Sequence, residues 1–226
     1  MKLRTALYAS LSVAILGGQV SAQTEHVKLT SATVPGGTPV SWATEFGTVY
    51  VSPYSGVLMS QNNKALILNC VDFFHDVSIN QDWWATKSVL TGDVSQTRFK
   101  NVEWYLEAAW LTQQYTSPNP GSDAARTINI QSAIWNIFDD RSPNSTGYAD
   151  WKTAAESNWK TVDASKFYVL TAVNGADVQE FLVYDKNAVT TTPEPATLAL
   201  FGTGLAAVAA MRRRRRKSSV SASNLA

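Results

Sequence analysis

Lys64-Ala65-Leu66-Ile67-Leu68-Asn69-Cys70-Val71-Asp72-Phe73-Phe74 and Ala124-Ala125-Arg126-Thr127-Ile128-Asn129-Ile130-Gln131-Ser132-Ala133-Ile134-Trp135-Asn136-Ile137-Phe138 are the two segments on which the fold turns. The first reads as a strand over residues 64–74, and the period-two rule puts Leu66, Leu68 and Cys70 on one face, so the thiol points into a core. The second reads as a helix capped by Ser122 or Asp123, with Ala124, Ile128, Gln131, Trp135 and Phe138 on one stripe. Working outward, Val27 to Thr30, Thr48 to Val51 and Gly56 to Met59 are short, β-branched or aromatic runs bounded by Gly and Pro, as strands are. Asn101 to Tyr115 switches to helical spacing, with Trp104, Ala108, Leu111 and Tyr115 on a common side, and Ser117-Pro118-Asn119-Pro120-Gly121 ends it. A third helix is expected from Ala149 to Trp159, and Lys166 to Val173, Asn174-Gly175 and Asp177 to Tyr184 read as strand, turn and strand of a hairpin. The expected fold is α+β: a β-sandwich or barrel-like lobe with a helical lobe inserted over about residues 100–160.

Composition bounds the function. Of 19 Lys and Arg, eight lie in the terminal segments, and of 18 acids only Glu194 does, leaving a central region of 11 cations against 17 anions, or minus six. That charge argues against nucleic acid as a partner. Cys70 is the single cysteine of the 226 residues, so no intramolecular disulfide can form. Eight Trp, eight Tyr and eight Phe provide the apolar surface for a core.

The ends read as processing segments. Residues 1–22 have a basic start, an apolar stretch from about Ala6 to Gly18, and Val20-Ser21-Ala22, small residues where a signal peptidase cuts. The apolar part is short for a permanent anchor. The domain proper is then 23–190. Beyond it come Pro193-Glu194-Pro195, an uncharged run over 196–211, a basic stop over 212–217 and a tail over 218–226 expected to be disordered and cytoplasmic. Sixteen residues of helix span roughly 24 Å, marginal for a bilayer core, and the arginines stay on the cytoplasmic side. This tripartite segment, 191–217, resembles the PEP-CTERM sorting signal, in which Pro193, Glu194 and Pro195 form the motif recognised by an exosortase. The resemblance implies export, a transient inner-membrane anchor, and release or attachment at the cell surface or in an extracellular, biofilm-type polysaccharide matrix. A plain tail anchor that is never removed is the alternative.

Gln131 is the polar member of an otherwise apolar helical stripe. A buried primary amide without partners costs on the order of 1–3 kcal/mol, so Gln131 is hydrogen-bonded in the core, exposed at the helix edge, or chemically engaged. Asn69-Cys70-Val71-Asp72, followed 61 residues after the cysteine by Gln131-Ser132-Ala133-Ile134-Trp135, resembles the Cys-Gln thioester domains of bacterial surface adhesion proteins. The likeness extends over about 56–139 and includes Ala108-Ala109-Trp110-Leu111 upstream and Phe181 to Tyr184 downstream; Asn69 departs from the aromatic or aliphatic residue common before the cysteine. It implies that the Cys70 sulfur attacks the Gln131 side-chain carbonyl carbon, expels ammonia, and leaves an internal thioester, with no cofactor. Asp72 and His75 are candidates for assisting proton movement and Trp135 for supporting the site, although strand parity turns His75 away from Cys70. An amine or hydroxyl on a partner surface then opens the thioester. That is capture once per molecule and not enzymatic turnover.

Other chemistries fit less well. A cysteine hydrolase needs a base, and only His26 and His75 exist; His26 lies close to the mature N-terminus, where order is not expected. One Cys and two His at 70, 26 and 75 match no compact zinc spacing, so no metal is expected. Asp139-Asp140 reads as a solvated helix end. The competing reading is a structural or exopolysaccharide-binding matrix protein with a free, buried Cys70, in which Trp83-Trp84 stack on sugar rings if exposed and are core if not.

Overall fold

The computed structural model describes residues 23–115 and 123–186. The expected signal peptide, the Pro-Gly break after Tyr115, the sorting motif and the apolar run after it lie outside the described residues. Among the described residues no helix is long and apolar enough to cross a membrane.

Six antiparallel strands close into a barrel in the order β1, β4, β5, β8, β7, β6: β1 is Gln23–Ser31, β4 Tyr54–Leu58, β5 Lys64–Cys70, β6 Asp82–Val89, β7 Phe167–Ala172 and β8 Phe181–Tyr184. Closure removes the exposed sheet edge, and pairing of β1 with β6 completes it. β2 (Val40–Thr44) and β3 (Gly47–Val51) form a separate two-stranded hairpin. The barrel interior is filled by alternate residues, among them Val27, Leu29, Leu58, Leu66, Leu68, Cys70, Trp83, Leu170 and Phe181. Gly56 of β4 occupies the tightest point: a Cβ there would lie 2.6 Å from Leu68 Cδ1 and 2.9 Å from the Lys28 carbonyl oxygen.

Between β6 and β7 come α1 (Val102–Thr112), α2 (Ala124–Phe138) and α3 (Tyr148–Asn158). The Asn101 side chain caps α1 by accepting from the N–H groups of Glu103 and Trp104, and the Asp123 carboxylate caps α2 by accepting from Arg126 N–H. α2 is buried on all sides from Ile130 to Phe138. Trp135 joins the barrel core, whereas Ile130, Ala133, Ile134, Ile137 and Phe138 pack with α1, α3, and Phe167, Val169 and Leu182 of the barrel wall. Two apolar cores thus meet along one helix, and the single stripe read from the sequence is replaced by burial of the full circumference.

Several expectations are corrected. The sandwich-or-barrel lobe is a closed barrel. The strand expected over 64–74 ends at Cys70, so the parity that turned His75 away does not extend to it. In α1, Trp104 is partly exposed and Tyr105 is the buried aromatic. β2 and β6 were not anticipated, and β6 separates the tryptophan pair: Trp83 is buried and Trp84 is 55% exposed. His26 is ordered within β1, stacked on Trp84 with ring centroids 4.6 Å apart and bonded to Asp82 at 2.7 Å. The turn of the last hairpin has Asn174 and Gly175 at φ 61° and 66°, left-handed values that suit this pair.

Candidate functional site

Cys70 is the last residue of β5, and the chain turns beneath α2 immediately after it. Its backbone N–H donates to Ser52 Oγ at 2.7 Å, which ties the strand end to the segment leaving the β2–β3 hairpin. Its side chain is fully buried and donates to the Asp72 carbonyl oxygen at 3.2 Å. The indole N–H of Trp135 donates to the same sulfur at 3.3 Å.

Gln131 lies one helical turn before Trp135 and is also fully buried. Its carboxamide is held at both atoms. Oε1 accepts from Ser52 backbone N–H at 3.1 Å and from Tyr115 hydroxyl at 3.2 Å, while Nε2 donates to the Cys70 carbonyl oxygen at 2.8 Å. Two donors on the oxygen withdraw electron density from the amide carbon and match the charge that an attacking nucleophile would place there. The sulfur, the amide and the indole therefore converge at one end of the barrel, brought together by a strand terminus and consecutive turns of one helix.

Burial dominates the electrostatics here. It pushes the Cys70 thiol up to about 12, with the Trp135 N–H working in the opposite direction and Asp72 and Asp76 adding to the rise. Tyr54 and Tyr115 are raised well above the ordinary phenol value, by burial first and then by the neighbouring Cys70. At pH 7 a group at about 12 is ionised in about one molecule in 10⁵. The thiol is accordingly a weak nucleophile in the finished fold.

Asp72 and His75 do not touch the sulfur through their side chains. His75 Nδ1 is hydrogen-bonded to Asp72 Oδ1 at 2.9 Å and Arg98 pairs in charge with Asp72 Oδ2 at 2.8 Å, so the buried carboxylate faces a guanidinium beside the site and anchors the loop after β5. No histidine is bonded to Cys70, so the arrangement lacks the thiol–base pair of a cysteine hydrolase. Among the described residues no cluster of His, Cys, Asp or Glu could hold a metal ion. Asp139, half of the acidic pair, is engaged by Arg141 at 2.6 Å.

Ser52 and Tyr115 were not singled out from the sequence as site residues. Ser52 contributes through its backbone N–H, which residue type does not encode, and helical spacing set Tyr115 on the α1 stripe without signalling that its hydroxyl meets Gln131 of α2. Also unanticipated is Glu180, fully buried and accepting from Tyr105 and Thr171 hydroxyls and Arg98 backbone N–H, which joins β8 to α1 and the loop before it.

No curated protein and no solved structure matches the chain. Residues 191–216 match the PEP-CTERM protein-sorting motif, covering Pro193, Glu194 and Pro195. The chain carries the sorting motif of an exosortase substrate, which implies processing by that enzyme, export and sorting to the surface.

Proposed function

We propose that the exported domain forms a thioester between Cys70 and Gln131 and uses it to capture an amine or hydroxyl of a partner surface covalently. The observation that carries this reading is the pair of donors, Ser52 N–H and Tyr115 O–H, on Gln131 Oε1 beside a sulfur that itself receives the Trp135 N–H. A glutamine buried for packing alone needs its hydrogen bonds satisfied; it does not need a thiol held at the same point by the same helix. In the reaction the Sγ–Cδ bond forms, the amide C–N bond breaks, and the thiol proton leaves with the nitrogen as ammonia. Capture reverses the polarity of the event: a partner nucleophile bonds to Cδ, Cys70 Sγ leaves, and the nucleophile's proton returns to the sulfur. No cofactor enters either step, and no turnover follows.

The test is mass spectrometry of the full chain recovered after export. The expected result is a deficit of one ammonia that maps to a linked Cys70–Gln131 peptide, disappears in Cys70→Ala, and is converted by methylamine into an adduct on Gln131 with release of an alkylatable thiol. Mapping to the peptide matters because an N-terminal Gln23 loses ammonia by cyclising. An unmodified Gln131 with Cys70 free overturns the reading.

A second reading has one observation in its favour. Trp84 presents an indole that is 55% exposed on the outer barrel wall, steadied by His26 and flanked by Asp82, which suits a sugar ring with one apolar face and a rim of hydroxyls. Soluble glucans that retard the protein in affinity electrophoresis, with the retardation lost in Trp84→Ala and kept in Cys70→Ala, would favour a non-covalent matrix binder.

A further inference from the structure

Cys70 and Gln131 have no exposed surface, so a nucleophile from another molecule reaches them only if some element moves. The β2–β3 hairpin is built to be that element. It is its own two-stranded sheet, outside the barrel ladder. Its burial fades from base to tip: Val40 and Val51 are buried, Trp42 and Val49 are intermediate, and Phe46 at the tip is 55% exposed. It is held over the site by rings. Trp42 stacks on Trp135 with centroids 6.4 Å apart, and Phe46 meets Phe73 and Phe74 edge-on at 5.3 and 5.9 Å. One end leads in through Val34-Pro35-Gly36-Gly37-Thr38-Pro39, with Gly36 at φ 75°, and the other leads out through Ser52, the residue that donates to Gln131.

Beside the hairpin a cavity of about 200 Å³ is lined by Thr48, Val49 and Tyr50 of β3 and by Tyr54, Phe73 and Trp135, the last of which donates to the Cys70 sulfur. We propose that the β2–β3 hairpin is a hinged cover on the Cys70–Gln131 site, and that a partner's nucleophile enters through the cavity this cover walls when Phe46 lifts from Phe73 and Phe74. The inference rests on the thioester reading for its purpose but not for its motion. Few buried side chains and a few ring contacts hold the tip, so local opening costs less than unfolding of the barrel. The lining mixes aromatic and aliphatic side chains with Thr48, Asp76 and Gln179, which suits a slim methylene arm carrying a polar nucleophile at its end. Because Ser52 lies at the hinge, opening also loosens a donor on Gln131, coupling access to the state of the amide.

Alkylation of Cys70 by iodoacetamide in the full chain carrying Gln131→Ala tests the motion, since that variant keeps its thiol. Adding Phe46→Ala should speed native-state alkylation by several-fold to about ten-fold, the range expected for losing ring contacts, at a rate that stays well above what the global unfolding equilibrium read from urea allows. Val49→Trp, which fills the cavity, should slow it. Alkylation that follows only global unfolding and ignores Phe46→Ala overturns the cover. Should Gln131→Ala not fold, hydrogen exchange on the wild-type chain decides: hairpin amides opening well before the barrel, and faster in Phe46→Ala, support the proposal, and exchange at the global rate overturns it. Wild-type ammonia loss is scored in parallel. Its absence with Phe46-dependent opening sinks the thioester and leaves the cover; its presence with Phe46-independent rates sinks the cover alone.

Discussion

Tyr115→Phe removes one hydroxyl from Gln131 Oε1 and leaves the Ser52 N–H in place. Tyr115 is half-buried beyond the end of α1, so the ring stays and only one neutral hydrogen bond is lost, at a net cost of about 0.5–1.5 kcal/mol. The kinetic effect is larger if the hydroxyl stabilises negative charge on the amide oxygen during sulfur attack. Removing one such preorganised donor slows acyl chemistry about 10²–10³-fold. The two magnitudes separate a structural bond from a chemical one. Newly synthesised chains, quenched in acid at intervals and digested, report the linked Cys70–Gln131 peptide as a function of time, and urea unfolding reports stability. The expected outcome is a variant folded to nearly wild-type stability that forms the link at least a hundred times more slowly. A rate within about threefold of wild type refutes the reasoning, because Tyr115 would then only satisfy the amide.

Burial raises the free Cys70 thiol above its unfolded value of about 8.5, so in Gln131→Ala, which keeps the thiol in that site, its contribution to stability is present below about 8.5 and is lost as pH climbs above it. A wild-type chain whose sulfur is acylated lacks that group, and the gap between their urea midpoints should widen from pH 8.5 to 10.5; a constant gap argues for a free thiol in both. Glu107 is raised to about 7 by burial and then by Glu156 and Glu103, so the stability it contributes is present below the ordinary carboxylate range and is lost as pH climbs through 7. Glu107→Gln should therefore melt above wild type at pH 8 and lose that advantage at pH 4.5, read by calorimetry. Gly56→Ala should cost about 1–3 kcal/mol in urea unfolding, because the new methyl meets Leu68 and the Lys28 backbone.

What could be read from the sequence depended on whether the information was local. The strand through Cys70, the Asp123 cap, α2 and the Asn174-Gly175 turn carry their signals within a few residues; the strand starts at the expected Lys64 but ends four residues short of 74, and the others stand within two residues of their expected places. β6 was hidden because Asp82-Trp83-Trp84-Ala85-Thr86-Lys87 buries only alternate members of an aromatic pair, and nothing in the pair says which faces in. His26 was expected to be loose from its place near the terminus. Its order comes from pairing with β6 and from Trp84 and Asp82, partners more than 50 residues away. At the site, period and motif resemblance pointed to Cys70, Gln131 and Trp135, while the roles of Ser52 and Tyr115 escaped: a backbone N–H leaves no pattern, and helical spacing placed Tyr115 on the α1 stripe without saying what its hydroxyl meets.

Sealing and reactivity oppose one another in this arrangement. Complete burial keeps water from an acyl bond, which a stored electrophile requires. The same burial raises the thiol to about 12 and so disarms the nucleophile that would form the bond. If the proposed bond forms, the two donors on Gln131 Oε1 and the indole N–H on the sulfur act against that penalty, one set on the amide oxygen that would gain charge and one on the sulfur that would supply it. They do nothing for release, because a partner still cannot touch Gln131 in the closed state. In the proposed scheme a rigid barrel supplies the fixed geometry that bond formation needs, and the appended hairpin, held by ring contacts and by the Tyr54 hydroxyl on the Tyr50 carbonyl, supplies an opening that leaves the barrel intact. In that scheme the exposed Phe46 at the tip is the ring whose contacts with Phe73 and Phe74 set the cost of opening.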